Sequence, residues 1–291
     1  MNADFLKKAI HRWPAMTGVV SRLNESRWPC EIEGIQGGLH AFFLAEFMES
    51  APVLPVIVVP TEKEIEILAA DLDLGGIDYE IFPWWGTIAY RPVAPGAAVF
   101  GERAARLASM CLGGDEHGAE KRTNQNHSVT KCEKALIMTQ RAFLTPVPPP
   151  EYFASLLSEI RVGDRFDPSA FAERLASFGY LRVPRVTVRG EFALRGEVLD
   201  VFLPGGDDAY RIAFDFDAVA GIKSFNPENQ ASTGNLSRLL VYPAREVIWT
   251  DTLIDALAAR LAELPEFTGG APALIEHLRT HGTFEGEELF F

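Results

Sequence analysis

Hydrophobic and polar positions along this 291-residue chain follow two different rhythms. In the first, short apolar runs of strand length alternate with longer stretches whose apolar residues recur at helical spacing. A strand is predicted over 30–35, a turn at Gly37-Gly38, and a helix over 39–48 on the spacing of Leu39, Phe42, Phe43 and Phe47. The run 53–59 is nearly continuous in apolar residues, as a strand covered on both faces requires. Pro55 has no N–H to give a ladder, so the paired part is predicted at 56–59. Thr61 and Glu64 have capping-box spacing, and Ile65, Leu68, Ala69 and Leu72 make the apolar face of the helix they open. A strand over 79–82 stopped by Pro83, a helix over 102–110 and a strand over 135–139 complete the block. This alternation predicts parallel strands with crossover helices, an α/β domain.

The second rhythm begins after Pro146-Val-Pro-Pro-Pro150, a stiff connector. Asp167-Pro168 supplies an N-cap and an N1 proline, Phe171, Leu175 and Phe178 an apolar face, and Gly179 the stop. Strands then follow one another over 181–188, 191–202, 209–216 and 222–225, with a turn at 204–208. Gly190 and Gly196 stand where a turn or bulge needs positive φ. One helix against a curled antiparallel sheet, an α+β domain, is the simplest arrangement. A polar loop over 226–235 and an apolar strand over 239–242 lead back to helical spacing at 250–264 and 271–279. The expected organisation is therefore an α/β domain of 1–148 plus 238–291, interrupted by an α+β domain at 149–237. Residues 113–134 are Gly, Asp, Glu, Lys, Asn and Ser with almost nothing apolar, which predicts a flexible surface insertion. His117, His127 and Cys132 within it match no compact metal motif.

A 47% hydrophobic composition supports full-size cores for about two domains. No apolar run approaches the ~20 residues of a membrane span, and 1–13 lacks the apolar stretch of a signal peptide. Three cysteines without a CxxC pair predict a reducing, cytoplasmic setting. A net charge of −13 makes the chain a poor general binder of phosphates, so any nucleic-acid contact would be local.

The predicted strand–turn–helix at 30–48 is where an α/β nucleotide binder carries its phosphate loop. That loop needs a last glycine, a lysine for the β/γ charge and a hydroxyl for Mg²⁺. The corresponding run is Gly34-Ile-Gln-Gly37-Gly38-Leu39-His40-Ala41, with Leu39 for the glycine, His40 for the lysine and Ala41 for the hydroxyl. The shape of a phosphate loop is expected here without its chemistry. HExxH and GxSxG patterns are absent, and no catalytic residue, metal or cofactor is expected. Trp84-Trp85 reads either as a stacking pair for bases or as a packing pair.

The run Ile81-Phe-Pro-Trp-Trp-Gly-Thr-Ile-Ala-Tyr90-Arg-Pro, then Phe178-Gly-Tyr-Leu-Arg182, the core Arg189-Gly-Glu-Phe-Ala-Leu-Arg-Gly-Glu-Val-Leu-Asp-Val-Phe202, Tyr210-Arg-Ile and Leu240-Val-Tyr-Pro243 occur in one order. Together they resemble the N-terminal UvrB-like module of the bacterial transcription-repair coupling factors, Mfd. UvrB keeps a working P-loop, whereas this chain has the degenerate loop of the Mfd family. The resemblance implies a degenerate P-loop-type parallel sheet domain with an inserted α+β domain that binds UvrA. It further implies a non-catalytic role in nucleotide excision repair, with RNA polymerase and DNA as partners of a longer parent. Motor motifs are absent before Phe291, as in a piece of a longer chain or a short paralogue. A UvrB-type fragment binding ATP and damaged DNA, and a single-strand nucleic-acid binder, are the alternatives. Arg182, Arg195 and Arg211 correspond to basic contacts to UvrA. Four arginines (182, 185, 189, 195) against one acid, Glu191, fit such a surface. Ala193, Ala213 and the run Phe214-Asp-Phe-Asp-Ala218 depart from the family pattern.

Overall fold

The computed structural model describes residues 3–25, 29, 31–50, 55–86, 97–111, 134–264, 270–284 and 287. The predicted insertion at 113–134 lies outside them apart from Lys134, as do His117, His127, Cys132 and Cys30. In chain order the early elements are helices α1 (Ala3–His11), α2 (Pro14–Asn24) and α3 (Leu39–Ser50), strand β1 (Val56–Val59), α4 (Glu62–Gly75) and β2 (Asp78–Phe82). There follow α5 (Ala97–Cys111), β3 (Lys134–Thr139), α6 (Gln140–Leu144), α7 (Pro150–Leu156), β4 (Ser158–Arg161) and α8 (Pro168–Ser177). The remainder is β5 (Leu181–Arg182), β6 (Glu191–Arg195), β7 (Val198–Phe202), β8 (Ala209–Asp215), β9 (Ala218–Phe225), β10 (Ser232–Leu236), β11 (Arg238–Val241), α9 (Asp251–Ala262) and α10 (Ala271–His281).

Two compact units are formed, Met1–Trp84 with Lys121–Thr145, and Trp85–Glu120 with Pro146–Phe291. This differs from the expected division. Residues 238–291 and α5 belong with the second unit, where the sequence reading placed them in the first domain. The physical reasons are specific. Strand β11 pairs antiparallel with β4. Helix α5 sits so close to the 204–205 turn that a Cβ on Gly101 would come 2.3 Å from Pro204, and one on Gly205 2.2 Å from Ala105.

The first unit holds a three-stranded parallel sheet in the order β1-β3-β2. Helix α4 opens with the expected capping box, Thr61 N donating to Glu64 Oε2 at 2.8 Å, and ends at Gly76 with φ 62°. Its face of Ile65, Leu68 and Leu72 packs with Ala41, Met48, Ala135 and Ile137. The strand predicted at 30–35 is not formed over 31–35. Gly34 and Gly37, at φ 86° and 55°, bend that segment away from extended geometry.

The second unit carries a six-stranded sheet, β10-β9-β8-β7-β6-β5, antiparallel except for β5 on β6. The predicted strand over 191–202 is two strands, because Gly196 at φ 58° turns the chain back in a two-residue hairpin. The predicted strand over 181–188 stops at Arg182. Pro184 cannot donate to a ladder, and the segment beyond turns so that Val183 and Val186 cover Ala193, Phe202, Ala209 and Phe225. The predicted polar loop over 226–235 contributes β10, which extends the sheet beside β9. Helix α8 is capped by Asp167, whose side chain accepts from Ser169 N at 2.9 Å, and it packs across β6 on the sheet's other face. There Phe166 bridges Phe171 of α8 to Phe214 of β8.

Candidate functional site

The period of two along each strand decides which side chains share a face. Register aligns Ala193 of β6, Asp200 of β7, Arg211 of β8 and Lys223 of β9 across the face away from α8. Arg195, Val198 and Ala213 form the next row of that face. Val183 and Val186 cover one end, while Arg195 and, in part, Arg211 reach solvent.

Asp200 is the centre of these rows and is fully buried. A buried carboxylate is costly unless it is paired and hydrogen-bonded. Here Arg211 binds it with both prongs, Nε to Oδ1 at 2.6 Å and Nη2 to Oδ2 at 2.9 Å. Arg195 adds Nη2 to Oδ2 at 2.5 Å. One acid therefore gathers two arginines that are sixteen positions apart in sequence. Hydrogen bonding to Asp200 raises the Arg211 guanidinium above its ordinary value, against the lowering effect of partial burial. The Arg211 side chain is 31% exposed and that of Arg195 49%, so both cations reach solvent while their acid does not.

Arg182 is placed elsewhere. It pairs in register with Phe192, on the α8 side of the sheet, consistent with its neighbour Val183 packing on the opposite side. It is exposed and makes no ion pair among the described residues. Arg195 and Arg211 are brought together, and Arg182 is not brought to them. Arg185 gives Nη2 to the Glu228 carbonyl at 3.2 Å, and Arg189 pairs with Asp207 at 2.6 Å. Glu191, the acid among the arginines, accepts from the backbone N–H groups of Thr187 and Val188 at 2.8 Å and so holds the covering segment. Asp200, the organiser of the pair, is not among the site residues expected from sequence. Its signal was an acid inside an otherwise apolar strand, Val198-Leu-Asp-Val-Phe202.

The Gly34–Ala41 region lacks the surroundings of a phosphate loop. Among the described residues no strand leads into it, and Gly38 and Leu39 follow the bend at Gly37 directly into α3. His40 turns back, its Nδ1 2.9 Å from the Gly37 carbonyl, which makes that nitrogen the donor. Ala41 is 1% exposed, and a Cβ on Gly75 would come 3.2 Å from its methyl group. The position where a nucleotide binder needs its metal-holding hydroxyl is a core position here.

Trp84 and Trp85 do not act as a pair. Trp85 is buried, with Nε1 donating to Glu246 Oε1 at 2.9 Å. Trp84 lies under the Arg141 guanidinium, 4.8 Å from the ring centre. Trp85 is thus sealed from solvent, and one face of the half-buried Trp84 ring is taken by Arg141. In the first unit, His11, Glu46 and Glu49 bring ligand atoms within 4.8 Å of one another beside a cavity of about 350 Å³. Lys8 and Arg12 line the same cavity and oppose a cation there. Among the described residues, no helix is long and apolar enough to cross a membrane.

The second unit thus carries a largely antiparallel sheet with α8 on one face and two solvent-reaching arginines, paired on one buried acid, on the other. Residues 159–247 match the UvrB interaction domain family, which covers β4 to the loop after β11. Most of the chain is similar to transcription-repair-coupling factors. With that of Myxococcus xanthus it is 30% identical over 227 residues, 75% of this chain and 18% of the relative. With that of Borreliella burgdorferi it is 23% identical over 264 residues, 89% of this chain and 21% of the relative. With that of Haemophilus influenzae it is 25% identical over 227 residues, 78% and 18% of the two chains. The chain is thus homologous over most of its length to transcription-repair-coupling factors and carries a UvrB interaction domain. It spans about a fifth of the length of these relatives.

Proposed function

We propose that this chain is a non-catalytic recruitment module that binds UvrA through the open face of the six-stranded sheet. In this reading it brings nucleotide excision repair to stalled RNA polymerase, with polymerase and DNA contacted by a longer parent protein. The observation that carries the proposal is the pair of half-exposed arginines on one buried acid, within a UvrB interaction domain. Planar guanidinium groups with unused donors suit carboxylates on a partner, and arginine is enriched in interface cores. The acidic balance of the rest of the chain leaves this face as a local basic feature.

The non-catalytic part of the proposal draws on the Gly34–Ala41 region. His40 is engaged with its own loop and Ala41 with the core. Restoring Lys at position 40 and Thr at 41 would force a larger side chain against Gly75 rather than build a metal site.

Titration of UvrA against this chain, by calorimetry or a pull-down, tests the proposal. Saturable binding that is lost on Arg195→Ala with an unchanged thermal melt is the expected result. A nucleotide titration run beside it is expected to show no saturable binding. ATP binding in the micromolar range with no UvrA binding would replace this reading with that of a UvrB-type ATPase piece.

A further inference from the structure

We infer that Asp200 is a positioning residue of the interface, holding Arg195 so that the donors left on its guanidinium are presented to a carboxylate of the partner. The inference rests on the UvrA-binding reading above and concerns how that face achieves its affinity.

Asp200 occupies the middle of a strand whose neighbours are Leu199 and Val201, both fully buried. For strand stability an apolar side chain would serve as well, since replacing a buried ionic cluster by packed apolar residues is often neutral or stabilising. The acid does, however, fix two cations. The two are held unequally. Arg211 is bidentate on Asp200, gives Nη2 to Gln230 Oε1 at 3.3 Å, and lies 4.7 Å over the Phe225 ring. It is restrained from three sides and acts as the clamp. Arg195 touches Asp200 through Nη2 alone, and its Nε and Nη1 have no partner among the described residues.

An untethered surface arginine samples many rotamers and loses that freedom on binding. Tethering Nη2 to a buried, clamped acid removes part of that loss before the partner arrives. Nε and Nη1 remain as donors for a charge-assisted bond, which a carboxylate accepts best.

A purely electrostatic role for Asp200 predicts the opposite sign. Asp200→Asn raises the charge of the face by one, so attraction alone would tighten binding to an acidic partner, most visibly at low salt. Positioning predicts weaker binding despite the added charge. The experiment is a titration of UvrA against the wild-type chain, Asp200→Asn, Arg195→Ala, the double variant Asp200→Asn/Arg195→Ala, and Arg195→Lys. It is run at two ionic strengths, with a thermal melt of each. Asp200→Asn is expected to weaken binding roughly two- to tenfold at both ionic strengths, the scale of one side chain's ordering. The double variant is expected to bind no more weakly than Arg195→Ala, because Asp200 acts through Arg195. Arg195→Lys leaves the Asp200–Arg211 clamp in place and keeps the charge, so it tests the tethered guanidinium even where Asp200→Asn melts early. It is expected to lose most of what Arg195→Ala loses. Unchanged or tighter binding by Asp200→Asn, full additivity in the double variant, or wild-type affinity for Arg195→Lys would each overturn the inference while leaving UvrA binding standing. Failure of the wild-type chain to bind UvrA would instead remove the functional reading and this inference with it.

Discussion

Arg103 meets Glu246 with the same two-pronged geometry by which Arg211 meets Asp200. Its Nε donates to Glu246 Oε1 at 2.5 Å and its Nη2 to Oε2 at 3.0 Å. Both clusters lie in the second unit, and each adds a third donor to the acid, Trp85 in one and Arg195 in the other. The difference is where the cations end. Arg103 and Glu246 are both 0% exposed, and the guanidinium is stacked 4.9 Å from the centre of the Trp85 ring. At Asp200 the acid is equally buried, but its arginines keep a third to a half of their side-chain surface in solvent. A sealed pair presents nothing to a partner and ties α5 and Trp85 to the loop after β11. An acid sealed beneath open arginines is a fixed base for a presentable charge. The same chemistry thus serves structure in one place and is available for recognition in the other, decided by the depth of the cation.

The largest effect is expected at the sealed pair. Arg103→Ala strands a buried carboxylate, which typically costs about 3–5 kcal/mol. A urea melt showing a loss below about 1 kcal/mol would break the comparison, since the pair would then not be structural. Arg211→Ala comes next. It leaves Asp200 with Arg195 alone, at a cost of about 1–3 kcal/mol for the under-satisfied acid. Loss of stability together with UvrA binding, measured by denaturant melt and titration, is the expected outcome for this clamp. Arg195→Ala is expected to change stability by no more than about 1 kcal/mol, as for other exposed ion pairs. Its loss of UvrA affinity is expected at about 2–5 kcal/mol, roughly thirtyfold to several thousandfold. Alanine is the sharper substitution, because a glutamate at 195 would face buried Asp200 and confuse folding with binding. If Arg195→Ala melts as early as Arg211→Ala, the two arginines are not clamp and presenter.

The smallest effect belongs to a third pair, in the first unit, whose His11 side chain is largely exposed. The hydrogen bond to Glu46, then its charge, raises the His11 pKa above the ordinary 6.5. Because the folded pKa is raised, the contribution to stability is fully present below 6.5 and fades as pH rises through the higher folded value. The melting difference between wild type and His11→Gln is therefore expected to be small, larger well below pH 6.5, and to vanish well above it. A difference that grows with pH would reverse the assigned sign.

Much of the local structure was legible in the sequence because its causes are local. The Thr61–Glu64 capping box, the Asp167-Pro168 start of α8, its stop at Gly179, and the paired segment 56–59 after Pro55 each depend on residues a few positions apart. The parallel sheet of the first unit followed from strand–helix alternation for the same reason. The arginine-rich stretch was also visible as composition, as was the loss of lysine and hydroxyl at His40 and Ala41.

Tertiary structure alone decided which arginines work together. Arg182 and Arg195 are closer in sequence than Arg195 and Arg211, yet the hairpin at Gly196 sets β7 between Arg195 and Arg211, and Asp200 collects both. One residue of strand parity puts Arg182 on the other face. The alliance of α5 with the second unit was hidden likewise, since it depends on Gly101 and Gly205 allowing close approach across a hundred residues, and on a glutamate far along the chain sealing Arg103. Sequence spacing carries the energies of neighbours. Register, strand parity and burial depth arise only when distant segments pair, and here they separate a structural arginine from one presented to a partner.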